Sequence, residues 1–167
     1  MGREKQSDAT KTPVQVPIDG QSLPGDLGMP SDPHGIVLFA HGSGSSRHSP
    51  RNQFVARTLE RRDLATLLID LLTPEEDLDH EMRFDIELLT ERLADAVRFL
   101  RMQASTRVLP IGLFGASTGA ASALRVAAAM PDDVAAVVSR GGRPDLAGGE
   151  ALAEVRDPPP ASAVYVC

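Results

Sequence analysis

A chain of 167 residues has room for one domain with a hydrophobic core and is short for two. Its 42% apolar and 24% charged residues are ordinary for a globular protein and exclude a disordered or fibrous one. The formal charge is −6, and the two lysines, Lys5 and Lys11, both lie in the first eleven residues, so no basic face is available and nucleic acid is not an expected partner.

Residues 1–12 are polar and without periodicity, and they read as a disordered leader ahead of one folded domain over 13–167. Val14, Val16 and Ile18 alternate with polar neighbours, Asp19-Gly20 supplies a turn, and Leu23 to Met29 follows, which predicts an antiparallel hairpin. Ile36 to Ala40 is a short apolar run of the kind buried on both faces of a sheet. Ser49-Pro50 predicts a helix cap with proline at the first helical position, and Phe54, Val55 and Leu59 predict the buried stripe of a helix ending near Arg62.

Ala65 to Ile69 reads as the next strand, and a connection over Thr73 to Asp85 leads to the most regular helix of the chain. Its apolar positions Ile86, Leu89, Leu93, Val97 and Leu100 recur at helical spacing and leave Glu91, Asp95 and Arg98 for solvent. Ile111 to Phe114 predicts a strand, Ser117 to Ala129 an alanine-rich helix stopped by Pro131, and Val134 to Val138 another strand. Asp145 to Val155 predicts a last helix, and Ala161 to Cys167 a last strand after the break at Pro158 to Pro160. Strands alternating with helices from residue 36 onward predict an α/β fold, a mostly parallel sheet with helices on both faces.

The N-terminus has no apolar signal segment, Gln6 stands where a myristoylation signal needs Ser or Thr, and no apolar run approaches the length of a membrane helix. The single cysteine, Cys167, gives no internal disulfide. A cytoplasmic location is therefore expected, with no membrane contact. Neither cofactor nor metal is expected.

Gly115-Ala116-Ser117-Thr118-Gly119 matches the Gly-x-Ser-x-Gly pattern, and it lies between an apolar run and a helix, the strand, turn and helix setting that a nucleophile elbow requires. Glycines on either side let the turn close and the hydroxyl project, and the helix N-terminus brings backbone N–H groups near developing negative charge. The alternative for the same five residues is a glycine-rich turn with a serine cap. A second glycine-rich loop, His41-Gly42-Ser43-Gly44-Ser45-Ser46, follows the Ile36 to Ala40 strand. Its spacing fits neither a dinucleotide-binding loop nor a P-loop, and it suits the second oxyanion donor, with Ser43 offering one N–H and Thr118 the other.

Taken together, Leu23-Pro24-Gly25-Asp26-Leu27, Ile36 to Ser46, Arg47-His48-Ser49-Pro50-Arg51-Asn52, Ala65 to Asp70 and Pro110 to Gly119 resemble the dienelactone-hydrolase-related branch of the α/β-hydrolase superfamily. The resemblance implies two-step hydrolysis of a small ester or lactone, with Ser117 acylated and the oxyanion held by Ser43 and Thr118. True dienelactone hydrolases use a cysteine nucleophile, so the serine separates this chain from that particular substrate.

In this fold the triad runs nucleophile, acid, histidine along the chain. All four histidines, His34, His41, His48 and His80, precede Ser117. Of these His48 is the one alternative base, since its loop can line the same cleft. Asp145 begins a helix and Asp157 precedes a proline break, and the family's acid loop would follow the Ala161 to Cys167 strand. A hydrolase domain incomplete at its C-terminus, with impaired activity, is expected. The alternative is a non-catalytic ligand-binding or interaction module on the same scaffold, and the oligomeric state stays open.

Overall fold

The computed structural model describes residues 9–142, 144–151 and 163–166. The expected hairpin forms β1 (Thr10–Ile18) and β2 (Gln21–Met29), in register from Thr10 opposite Met29 to Ile18 opposite Gln21. Gly20 takes φ 70° in the turn, a backbone state that favours glycine. β1 opens three residues ahead of the Pro13 boundary expected from composition. Thr10–Thr12 pair with Leu27–Met29, and Lys11 reaches across to a buried carboxylate, Glu60. Residues 1–8 of the expected leader lie outside the described residues.

The apolar runs become β3 (Ile36–Ala40), β4 (Ala65–Ile69), β5 (Ile111–Ala116) and β6 (Val134–Arg140), and β7 (Ala163–Val166) pairs beside β6. The sheet order is β1-β2-β4-β3-β5-β6-β7, with β2 antiparallel to its neighbours and β4 through β7 parallel. β1 is an edge, and Pro13 and Pro17 remove two backbone donors from it, which blunts its tendency to pair with another chain. At the far end, Pro144–Leu146 forms a single 3-10 turn and 149–151 are helical, so the helix expected from Asp145 starts later; its remainder to Val155 lies outside the described residues.

Among the described residues the sheet is covered by α1 (Pro50–Glu60), α2 (Ile86–Met102) and α3 (Thr118–Ala129). Ser49 caps α1, its side chain accepting from Asn52 N–H, with Pro50 in the first turn as expected. The buried face of α1 differs from the predicted stripe. Asn52, Ala56 and Glu60 turn inward, Val55 and Leu59 are half-buried, and Phe54 is 62% exposed. The inward Glu60 is tolerated because Thr66 Oγ1 and Lys11 Nζ donate to it and Gly28 clears its space, a Cβ there falling 2.2 Å from Glu60 Oε1.

α2 buries the predicted positions Ile86, Leu89, Leu93, Val97 and Leu100, and Arg92 with them. Asp85 caps it, accepting from Leu88 N–H at 3.0 Å. Alternation along the strands sends Leu38, Leu67, Ile69 and Leu113 to the α2 and α3 face and Phe39 and Leu68 to the α1 face. Among the described residues no helix is long and apolar enough to cross a membrane.

Candidate active site

β5 ends at Ala116, and the chain turns sharply into α3 at Ser117, which takes φ 52° and ψ −120°. A non-glycine residue in this region is held there by its surroundings at a cost of about 1–3 kcal/mol. The neighbouring glycines show what holds it. A Cβ at Gly115 would lie 2.5 Å from Ala120 Cα, and one at Gly119 2.1 Å from Ala40 O, so strand, turn and helix close only with glycine at both places. Ser117 occupies the position before the first helical residue, yet its side chain makes no capping hydrogen bond, and the residue is exposed. The serine-cap alternative therefore has no hydrogen bond to support it.

The loop after β3 packs directly on this elbow. A Cβ at Gly42 would lie 3.1 Å from both Ser117 Cβ and Ala116 O. Gly42, Ser43, Gly44 and Thr118 share a recess with Leu89 and Arg83 that admits about one water-sized sphere. Thr118 is 1% exposed, and its Oγ1 has no hydrogen-bond partner in the protein. Thus the two residues expected to offer oxyanion N–H groups, Ser43 and Thr118, line one recess, whose Gly42 wall packs on Ser117.

Two anchors fix the loop to the end of β4. Arg47 N–H donates to Asp70 Oδ1 at 2.6 Å, and its guanidinium forms an ion pair with the same carboxylate and lies 3.4 Å from Asp26. His41, 7% exposed, accepts from Leu71 N–H through Nε2 at 3.0 Å and stands 2.9 Å from Gly42 O through Nδ1. Because Nε2 is an acceptor, the proton resides on Nδ1 and is donated to Gly42 O. Both ring nitrogens are thereby engaged in holding the loop. His48 and His34 are exposed, and His80 is exposed and rests on Phe84 with ring centroids 4.9 Å apart. Among the described residues no hydrogen bond joins Ser117 to any of the four.

Beneath the loop lies a polar cluster that pattern reading overlooked. Arg92 donates to Leu71 O at 2.8 Å and to both carboxylate oxygens of Glu76 at 2.5 and 2.6 Å. Glu76 also accepts from Thr73 N–H at 2.8 Å. The Arg92 hydrogen bonds, helped by Thr73, hold the Glu76 carboxyl down at about 2 against burial, which acts in the opposite direction. Arg92 lies three residues after Leu89 and so on the apolar stripe of α2, the sequence signal that it faces inward. Among the described residues no group of three or more His, Cys, Asp or Glu side chains is placed to hold a metal ion.

No family model matches the chain. Two Mycobacterium tuberculosis proteins, from strains CDC 1551 and H37Rv, are 57% identical to it over 135 residues, and both are named as candidate phosphoribosyl transferases. That match covers 81% of this chain and 30% of each relative, so the chain spans less than a third of their length. A dienelactone hydrolase from Anabaena variabilis superposes with a TM-score of 0.82 at 43% identity, covering 95% of this chain and 86% of that one. A thermostable carboxylesterase cloned from a metagenomic library shares the fold with a TM-score of 0.65 at 20% identity, over 82% of this chain and 48% of the other. With its strand order, its Ser117 elbow and a relative this similar over most of both chains, the chain belongs to the dienelactone-hydrolase-related branch of the α/β-hydrolase superfamily.

Proposed function

We propose that the chain is a serine-hydrolase domain acting on a small ester or lactone through an acyl-enzyme at Ser117. The observation that carries this is the elbow itself: a serine at φ 52°, exposed and not capping its helix, with the Gly42–Gly44 loop packed against it. Ser117 Oγ attacks the carbonyl carbon while its proton passes to a base, and the N–H groups of Ser43 and Thr118 receive the developing oxyanion. Collapse expels the alcohol, or opens the lactone, and water then releases the acid. Chain order in this fold places the triad acid and histidine after β7, and His41 is already committed at both nitrogens. Full turnover needs an acid and a base acting together on Ser117, and we place the reaction in the cytoplasm.

The transferase name of the mycobacterial relatives belongs to proteins most of whose length lies outside the match. The matched segment has a hydrolase elbow where a phosphate-binding loop would need a different glycine spacing. The remaining alternative, a ligand-binding module without chemistry, is separated by one experiment. Incubated with p-nitrophenyl acetate, whose leaving group needs no protonation, the 167-residue chain should become acetylated at Ser117, slowly but on the order of 10³-fold above the uncatalysed reaction. Deacylation should lag without a base, and rapid labelling by a fluorophosphonate is not expected. Intact-mass analysis showing no adduct that Ser117→Ala abolishes would leave the binding module as the better account.

A further inference from the structure

We propose that Arg92, clamped by Glu76, is a positioning residue for the oxyanion loop, acting through Leu71 and His41. The inference rests on the hydrolase reading only for its effect on rate. Three hydrogen bonds run from α2 to the loop: Arg92 Nη1 to Leu71 O at 2.8 Å, Leu71 N–H to His41 Nε2 at 3.0 Å, and His41 Nδ1–H to Gly42 O at 2.9 Å. Leu71 is thus gripped at its carbonyl from the helix side and at its N–H from the loop side. The same Gly42 sits one residue before Ser43 and against Ser117, so the position of Leu71 sets where the Ser43 N–H stands relative to the nucleophile.

A purely structural role is the competing explanation, and the chemistry of buried pairs argues against its sufficiency. Arg92 and Glu76 are 7% and 17% exposed at their side chains, and apolar residues of similar volume commonly fill such places at no loss of stability. What an apolar pair cannot supply is a donor for Leu71 O. Without that donor the Leu71–Leu72 peptide is no longer held, Leu71 shifts with it, the N–H that fixes the His41 tautomer moves away from Nε2, and the loop loses its register on the elbow. Glu76 serves by fixing the guanidinium, since its two oxygens take one nitrogen each and leave Arg92 Nη1 aimed at Leu71.

The test pairs Glu76→Leu with Arg92→Met in one variant, which removes both charges together and spares the fold an orphaned ion. Two readouts are followed in the 167-residue chain: the His41 tautomer from imidazole 15N correlations, and the rate of Ser117 acetylation by p-nitrophenyl acetate. The expected result is a urea midpoint close to that of the parent, a His41 ring no longer confined to the Nδ1–H tautomer, and acetylation slowed roughly tenfold. A folded double variant that keeps both the tautomer and the rate within twofold of the parent overturns the proposal. Should the double variant not fold, Arg92→Lys, which keeps a positive charge for Glu76 but loses the fork that reaches Glu76 and Leu71 O together, takes its place under the same two criteria. Acetylation that persists unchanged in Ser117→Ala would sink the hydrolase reading instead, leaving the His41 tautomer to decide this inference.

Discussion

On the face covered by α2 and α3, Leu38, Leu67, Leu93, Leu100, Ile111 and Leu113 are at most 1% exposed and belong to one continuous cluster, whereas on the α1 face the buried apolar set among the described residues is Phe39, Ala56 and Leu68. Over β5 and β6 that second face is only half-buried at Phe114, Ala136 and Val138, with the Arg140 guanidinium 5.9 Å from the Phe114 ring. The contrast locates the rigid support of the site. Arg92 and Thr118 both come from the thick face, and the loop they meet is pinned to the end of β4, a strand buried along its whole length. A site meant to hold backbone donors within a fraction of an ångström is best built on the better-packed side.

The largest expected effects break the comparison directly. Leu93→Ala leaves a cavity deep among α2 and the sheet and should cost about 3–5 kcal/mol, whereas Leu68→Ala on the thin face can be relieved by the movement of α1 and should cost about 2 kcal/mol. Urea unfolding of the two variants gives both numbers, and equal losses would mean that the α1 face is as tightly packed as the other.

A second, smaller effect is read against pH. The Glu76 carboxyl is held at about 2, below its ordinary 4.5, so the folded state favours the ionised form. Its contribution is therefore complete above the ordinary value and disappears as pH falls through about 2. The difference corresponds to on the order of 3 kcal/mol, and Glu76→Gln should remove it at neutral pH while narrowing its gap to the parent below pH 3. Subtracting the two stability curves cancels the other carboxylates. A difference that stays constant between pH 6 and 2 would show that the ionised clamp contributes nothing.

Much of the fold was legible because its signals are local. The bounds of β3 and β4, the Ser49 cap with Pro50 behind it, the Asp19-Gly20 turn and the Gly115–Gly119 elbow each depend on residues within a few positions of one another. What was missed depends on partners far along the chain. Glu60 turns inward because Lys11 reaches it from 49 residues away, from the part of β1 that lies ahead of Pro13. Arg92 is buried because Glu76, 16 residues earlier, and the Leu71 carbonyl, 21 residues earlier, satisfy it. His41 was readable as the start of a loop, but its commitment to Leu71 and Gly42 follows from the juxtaposition of β3 and β4 in the sheet. Charged and titratable residues have their positions set by pairing, and pairing is a property of topology.

The smallest expected effect sharpens the contrast between the faces at its outer limit. Phe54 was placed on the inward stripe of α1 by spacing alone, yet it is 62% exposed, the helix having turned Asn52, Ala56 and Glu60 toward the sheet instead. Phe54→Gln should then change stability by no more than about 0.5 kcal/mol, as expected of an exposed position without a partner. The substitution also reports on the surroundings of the thin face, because a phenylalanine covered in solution would lose burial on replacement. A cost above about 1.5 kcal/mol in urea unfolding, or one that grows with protein concentration, would show the α1 face covered by another copy of the chain and the difference between the two faces reduced on assembly.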